Sequence, residues 1–171
     1  MRYLSVIGPA ALAMAAMVAT PAAAATPSAT VSGKALLLVP LSLVKIDDLD
    51  FGGIIPSGVS GAVSLNATTG VRSFAGGVTG VPGDIGKRGY FGGAGTPNQQ
   101  VIVTIDAPTD LVNAASDTIP VLGLTMDGPA LRTIDPVTRT FYVGIGGTLL
   151  IGASQPDGIY SATFDVTAYY Q

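Results

Sequence analysis

Apolar and polar positions alternate with a period of two in several short stretches, and no stretch carries a sustained helical period. The pattern is cleanest over residues 158–171, where Tyr160, Ala162, Phe164, Val166, Ala168 and Tyr170 share one side and Ser161, Thr163, Asp165 and Thr167 the other. Alternation rich in β-branched and aromatic residues predicts a strand with one buried and one wet face. Similar patterns predict strands over residues 41–46, 61–66, 99–106 and 119–126, and a strand pair or a Gly-kinked strand over residues 139–151. Ala67-Thr68-Thr69-Gly70 predicts a turn from which residues 71–75 pair back as a hairpin. Residues 76–98, rich in Gly, predict a long loop with a short strand near Lys87-Arg88-Gly89-Tyr90-Phe91. Val101, Val103 and Ile105 alternate with Ile102 and Thr104, so both faces of that strand are largely apolar and it belongs inside a sheet.

Composition agrees. Of 171 residues only 11% are charged, 48% are hydrophobic and 23 are Gly. Many short strands joined by tight turns predict an all-β sandwich or barrel. The formal charge of −3, with no basic run, excludes a phosphate-binding surface for nucleic acid. Cysteine and histidine are absent, which removes thiolate chemistry, Cys-based zinc sites and the commonest general base. All eleven acidic residues are Asp. Asp47, Asp48 and Asp50 crowd into four positions, but their spacing is not that of a calcium loop; a polar turn ahead of the Phe51 anchor is expected. Gly86-Lys87 does not open a helix, so it makes no phosphate loop. The chain predicts no enzyme, no metal, no cofactor and no small-molecule substrate.

Residues 1–25 read as a secretory signal peptide: Arg2, then an Ala-rich apolar run, then Pro21 and small residues. Residues 26–39 follow as an extension in which Val31, Gly33, Ala35, Leu37 and Val39 lie on one side of an extended chain, opposite Ser32 and Lys34. Such a segment suits β-strand addition, in which main-chain hydrogen bonds supply affinity and alternate side chains fill pockets. The competing expectation is that residues 35–44 are simply the first strand of the domain, broken at Pro40.

Gly158 stands fourteenth from the end, Tyr170 is penultimate, and apolar residues alternate between them. This C-terminal strand resembles that of chaperone–usher fimbrial subunits, or pilins. The resemblance implies an immunoglobulin-like β-sandwich over residues 40–171, incomplete and completed by a donor strand. It also implies partners: related subunits or copies of the same chain in a fibre, a periplasmic chaperone and an outer-membrane usher. Gly158, Tyr160, Phe164, Val166 and Tyr170 would form the groove strand read by the chaperone, and Val31, Gly33, Ala35, Leu37 and Val39 the donor. The implied location is the cell surface, reached through the periplasm. A second resemblance rests on Leu49-Asp50-Phe51-Gly52, Phe141-Tyr142-Val143-Gly144, Gly147-Thr148-Leu149, Gly158-Ile159-Tyr160 and Val166-Thr167-Ala168-Tyr169. These words are similar to those of a secreted bacterial domain family without assigned function, taken to be pilin-like; here Ile145-Gly146 is inserted before Gly147, which disturbs the expected hairpin register. Two alternatives stand beside the fimbrial expectation. One is a small outer-membrane β-barrel, which the 6% aromatic content and terminal Gln171 disfavour. The other is a secreted adhesin or carbohydrate-binding module using the rings of Tyr90 and Phe91.

Overall fold

The structure, a computed structural model, describes residues 28–171; the expected leader, residues 1–25, lies outside them. The chain divides into two units, Met1–Ala35 and Leu36–Gln171. Of the first unit, residues 28–35 are described; they carry no secondary structure and are exposed. The second unit is all-β. Its strands are β1 (Ser42–Asp47), β2 (Ile54–Leu65), β3 (Arg72–Gly80), β4 (Gly89–Ala94) and β5 (Gln100–Asp106), then β6 (Asp110–Val112), β7 (Thr118–Met126), β8 (Leu131–Thr133), β9 (Thr140–Ile151) and β10 (Asp165–Tyr170).

Every pairing is antiparallel. The larger sheet runs β1-β4-β9-β2-β3, with β7 also on β9 and β6 on β7; the smaller runs β10-β5-β8. The arrangement is a β-sandwich. Strand β9 is its spine. Phe141, Val143, Ile145, Leu149 and Ile151 point inward at alternate positions, while Tyr142 and Leu150 on the opposite face are exposed. Its first half registers against β4 and its second against β2, so one strand serves two cores. In the first, Phe51, Val63, Leu65, Val78 and Ile119 surround Leu149 and Ile151. In the second, Val101, Val103 and Ile134 meet Phe141, Val143 and Ile145 across the two sheets. Burial of these side chains is the main drive for the fold.

The hairpin of β2 and β3 forms where expected, with Leu65 opposite Arg72. Its turn is held by Asn66, whose Oδ1 accepts from the N–H groups of Thr68 (2.8 Å) and Thr69 (2.9 Å). Strand β5 is central in its sheet, with β10 and β8 as neighbours, as its two apolar faces require. Several expectations need correction. Residues 76–98 are not mainly loop, because β3 continues to Gly80 and β4 extends to Ala94. Glycine-rich sequence hid these strands; what holds them is ladder pairing with β2 and β9, not propensity. Strand β8 and the short β6 fall in stretches with no alternation to reveal them.

The glycines of β9 do not break it. The strand is continuous, and the register slip lies on the partner, between Val121 and Gly123 of β7. Gly144 and Gly146 serve close approach instead: a Cβ on either would collide with the backbone carbonyl of Ala67 or Leu65, respectively. Ahead of β9, the N–H groups of Thr138 (2.7 Å) and Val137 (2.8 Å) donate to Asp135 Oδ1. These bonds, Thr138 first, hold the Asp135 carboxyl below its ordinary pKa.

Two outcomes follow for stability. Gly146→Ala lowers the denaturation midpoint by an amount equivalent to about 2 kcal/mol or more, whereas Gly58→Ala, whose Cβ meets nothing within 4 Å, stays within about 0.5 kcal/mol of the parent. In an NMR titration the Asp135 carboxyl has its midpoint below the ordinary carboxylate value. Because its folded pKa is depressed, its stabilising contribution is complete above the unfolded pKa and is lost as pH falls through the folded one.

Candidate functional site

The C-terminal strand ends its sheet. β10 pairs with β5 from Asp165 opposite Asp106 to Tyr170 opposite Val101. Val166, Ala168 and Tyr170 turn toward the second core and are half-buried; Asp165, Thr167 and Tyr169 face outward and are exposed. Among the described residues β5 is the only strand that pairs with β10, so the outer edge of β10 has no ladder partner. At the end of the larger sheet β1 likewise pairs only with β4.

These two open edges face one another. Tyr170 stands at one end of the gap, where its hydroxyl accepts from Thr96 N–H (2.8 Å) and donates to the Val39 carbonyl (2.7 Å). Val39 N–H in turn donates to Thr96 Oγ1 (2.7 Å). This clasp fixes the approach to β1 beside the last residues of β10. At the other end, a cleft of about 200 Å³ lies among Lys45, Asp48, Leu49, Phe91, Ala162 and Phe164. The start of β1 therefore lies near the end of β10, and the end of β1 near its start: the strands are antiparallel across the gap. Leu41 and Leu43 form one bank; Phe164, Val166, Ala168 and Tyr170 form the other, all packed on the second core yet only partly buried. The result is an apolar groove flanked by unpaired backbone N–H and C=O groups, the features that template an added strand.

The expected fourteen-residue strand is shorter than its pattern. Residues 158–164 form no strand, apart from a bridge between Ser161 and Val112. Gly158 has a positive φ of 147°. Tyr160 is folded back, its hydroxyl donating to the Pro156 carbonyl (2.8 Å) and accepting from Gln155 Nε2 (3.0 Å). Its ring packs on the first core, not in the groove. Alternation marks an extended path, and here the path is needed to roof the first core, so it leaves the ladder. A second cleft of about 600 Å³ lies beneath this roof, with Phe51, Ile119, Leu149 and Ile151 among its walls. Of the expected groove residues, Phe164, Val166 and Tyr170 come together, while Gly158 and Tyr160 lie apart.

The expected donor residues Val31, Gly33, Ala35 and Leu37 are exposed and in no ladder, with Val31 at 92% and Leu37 at 86% of full exposure. Val39 differs, its backbone being tied to Thr96 and Tyr170. Residues 35–41 lie outside β1, which begins at Ser42. Leu41 and Leu43 were recognisable only as members of a strand, and Thr96 carried no signal. Elsewhere, Asp50 Oδ1 accepts from Gly52 N–H (2.8 Å) and Phe51 is buried, the turn and anchor expected there. Asp48 pairs with Lys45 (2.6 Å). Tyr90 is stacked on Tyr142 at 5.6 Å and covered by Arg88, and Phe91 packs on the second core; the rings considered for sugar stacking are thus engaged within the domain.

Fold and site together define an antiparallel two-sheet domain whose first and last strands are open and line a common groove. The chain belongs to the family described as Domain of unknown function (DUF4402), whose model matches residues 41–170. No curated protein and no solved structure matches it.

Tyr170→Phe removes the hydroxyl that joins β10 to Thr96 and Val39. The expected cost is about 1–3 kcal/mol, read as a lower denaturation midpoint, together with faster hydrogen exchange at the Thr96 amide.

Proposed function

We propose that the protein is an exported structural subunit of a cell-surface fibre of the fimbrial kind, polymerising by donor-strand exchange. The observation that carries this reading is a complementary pair of features. The last strand has an unpaired edge over an apolar groove, and the same chain holds an alternating apolar segment, residues 31–37, that is exposed and in no ladder.

An open groove with free backbone groups is an aggregation hazard for a lone subunit. A periplasmic chaperone that lends a strand would cover it until an outer-membrane usher brings the next subunit, whose extension then takes the chaperone's place. The backbone bonds of Val39 keep it with its own domain, so Val39 acts as the root of the extension and the donated part ends before it. Each subunit gives to one neighbour and receives from another. Such head-to-tail contacts generate an open fibre rather than a closed ring. The bond from the Tyr170 hydroxyl to the Val39 carbonyl supports this role, since it holds Val39 beside the last strand.

A membrane barrel is the weaker reading, because a barrel closes its ladder and here β1, β3, β8 and β10 are end strands. An adhesive role is a weaker reading too, because the Tyr90 ring is stacked on Tyr142 and covered by Arg88.

Purified mature protein is expected to form filaments under electron microscopy and ladders resistant to SDS without heating. The same protein lacking residues 26–38 forms neither. Folded monomers from both preparations would overturn the proposal.

A further inference from the structure

We infer the register of the subunit contact: residues 29–37 of one copy run antiparallel to residues 162–170 of the next, that is β10 and the segment leading into it, with Lys34 opposite Asp165. The inference rests on the fibre reading and specifies what occupies the groove.

Three observations converge on this register. The first is size. Inward residues of the receiving edge read, from Phe164, large-large-small-large: Phe164, Val166, Ala168, Tyr170; Ala162, two residues before them, is small and exposed. With Lys34 opposite Asp165, the donor presents Leu37 to Ala162, Ala35 to Phe164, Gly33 to Val166, Val31 to Ala168 and Ala29 to Tyr170. Each bulky side chain meets a small one, as close packing across a strand pair requires. Moving the donor by two residues one way sets Val31 against Val166; the other way sets Leu37 against Phe164 and Val31 against Tyr170. Either shift crowds large residues and leaves voids elsewhere.

The second is charge. Lys34 is the single charged residue of residues 28–39, and Asp165 is the single charged residue of β10. Both lie on the outward side of their alternation, and of the antiparallel registers this one alone sets them opposite one another, where an opposite-charge pair is favourable. It also sets the Ser32 hydroxyl beside that of Thr167. The third is the cleft of about 200 Å³ bounded by Leu49, Phe91, Ala162 and Phe164, with Lys45, Asp48 and Thr163 also on its walls. In this register Leu37, opposite Ala162, is the donor side chain set beside it.

The direction follows from Val39. A parallel alignment also brings Lys34 to Asp165, but it sets Val39 opposite Tyr170. There the Val39 N–H and C=O would have to join the ladder, and both are already bonded to Thr96 and Tyr170. The antiparallel alignment cannot form within one chain. It would carry Val39 past Ala162, toward the far end of β10 from the Tyr170 clasp. The occupant is therefore the extension of a second copy.

The chain has no cysteine, so paired substitutions report the register directly. In polymers treated with a mild oxidant, Ser32→Cys/Thr167→Cys is expected to cross-link between chains and give a covalent ladder on non-reducing gels. Leu36→Cys/Thr167→Cys, which tests the parallel alignment, is expected to remain uncross-linked. Lys34→Asp and Asp165→Lys each slow assembly by about two- to five-fold, and their combination restores it. Filaments that form while only the second cysteine pair cross-links, within or between chains, overturn the direction. Filaments in which neither pair cross-links overturn the register, though not the fibre. If the parent protein forms no filaments, the fibre reading itself fails and the register falls with it.

Discussion

The backbone of β10 has hydrogen-bonding groups on two edges and a ladder partner on one. Each N–H or C=O turned to the open side either stays wet or finds a hydrogen-bond partner from elsewhere, because burying it unpaired costs about 1–3 kcal/mol. The side chains of the same strand pull the other way. Val166, Ala168 and Tyr170, with Leu41 and Leu43 across the gap, sit on the second core and stay partly exposed for want of a cover. An apolar plug without backbone groups would hide the side chains and strand the ladder. An added strand would satisfy both, and the conflict sits within a six-residue element.

The rest of the sandwich is built to hold that edge in place. The larger sheet carries both cores on β9, whose glycines let the chain at Leu65 and Ala67 cross closely over it. The first core is roofed by the loop through Tyr160, with a cleft of about 600 Å³ beneath the roof. The second lies between sheets of unequal size, because the smaller has only β10, β5 and β8. Tyr170 then joins the last strand to the approach of the first, so the two banks of the groove are fixed relative to each other. A rigid groove receives a strand at a lower ordering cost than a floppy one.

Much of this was legible in the residues. Alternation located β1, β5, β7 and β10, and Asn66 through Gly70 marked the hairpin, because these signals are local. The two apolar faces of Val101 to Ile105 announced a central strand. What stayed hidden was non-local. Gly-rich β3 and β4 have few side chains to reveal them and exist because β2 and β9 pair with them. Tyr160 kept the period of a strand while its hydroxyl turned back to Pro156, since extended backbone need not stay in a ladder. Thr96, in a loop, matters only because the fold brings Tyr170 and Val39 to it. The alternation of Val31 to Leu37 was visible in their pattern, but that they pair with nothing in the described chain is information only the fold supplies.

The central claim is that β10 ends its sheet in the lone subunit and lies inside a sheet in the fibre. Amide hydrogen exchange, resolved residue by residue over positions 165–170, reads this directly. The account predicts that in the monomer the amides turned away from β5 exchange fast while those bonded to it are protected, and that all become protected on assembly. Uniform protection along β10 in the monomer, unchanged on assembly, would contradict it.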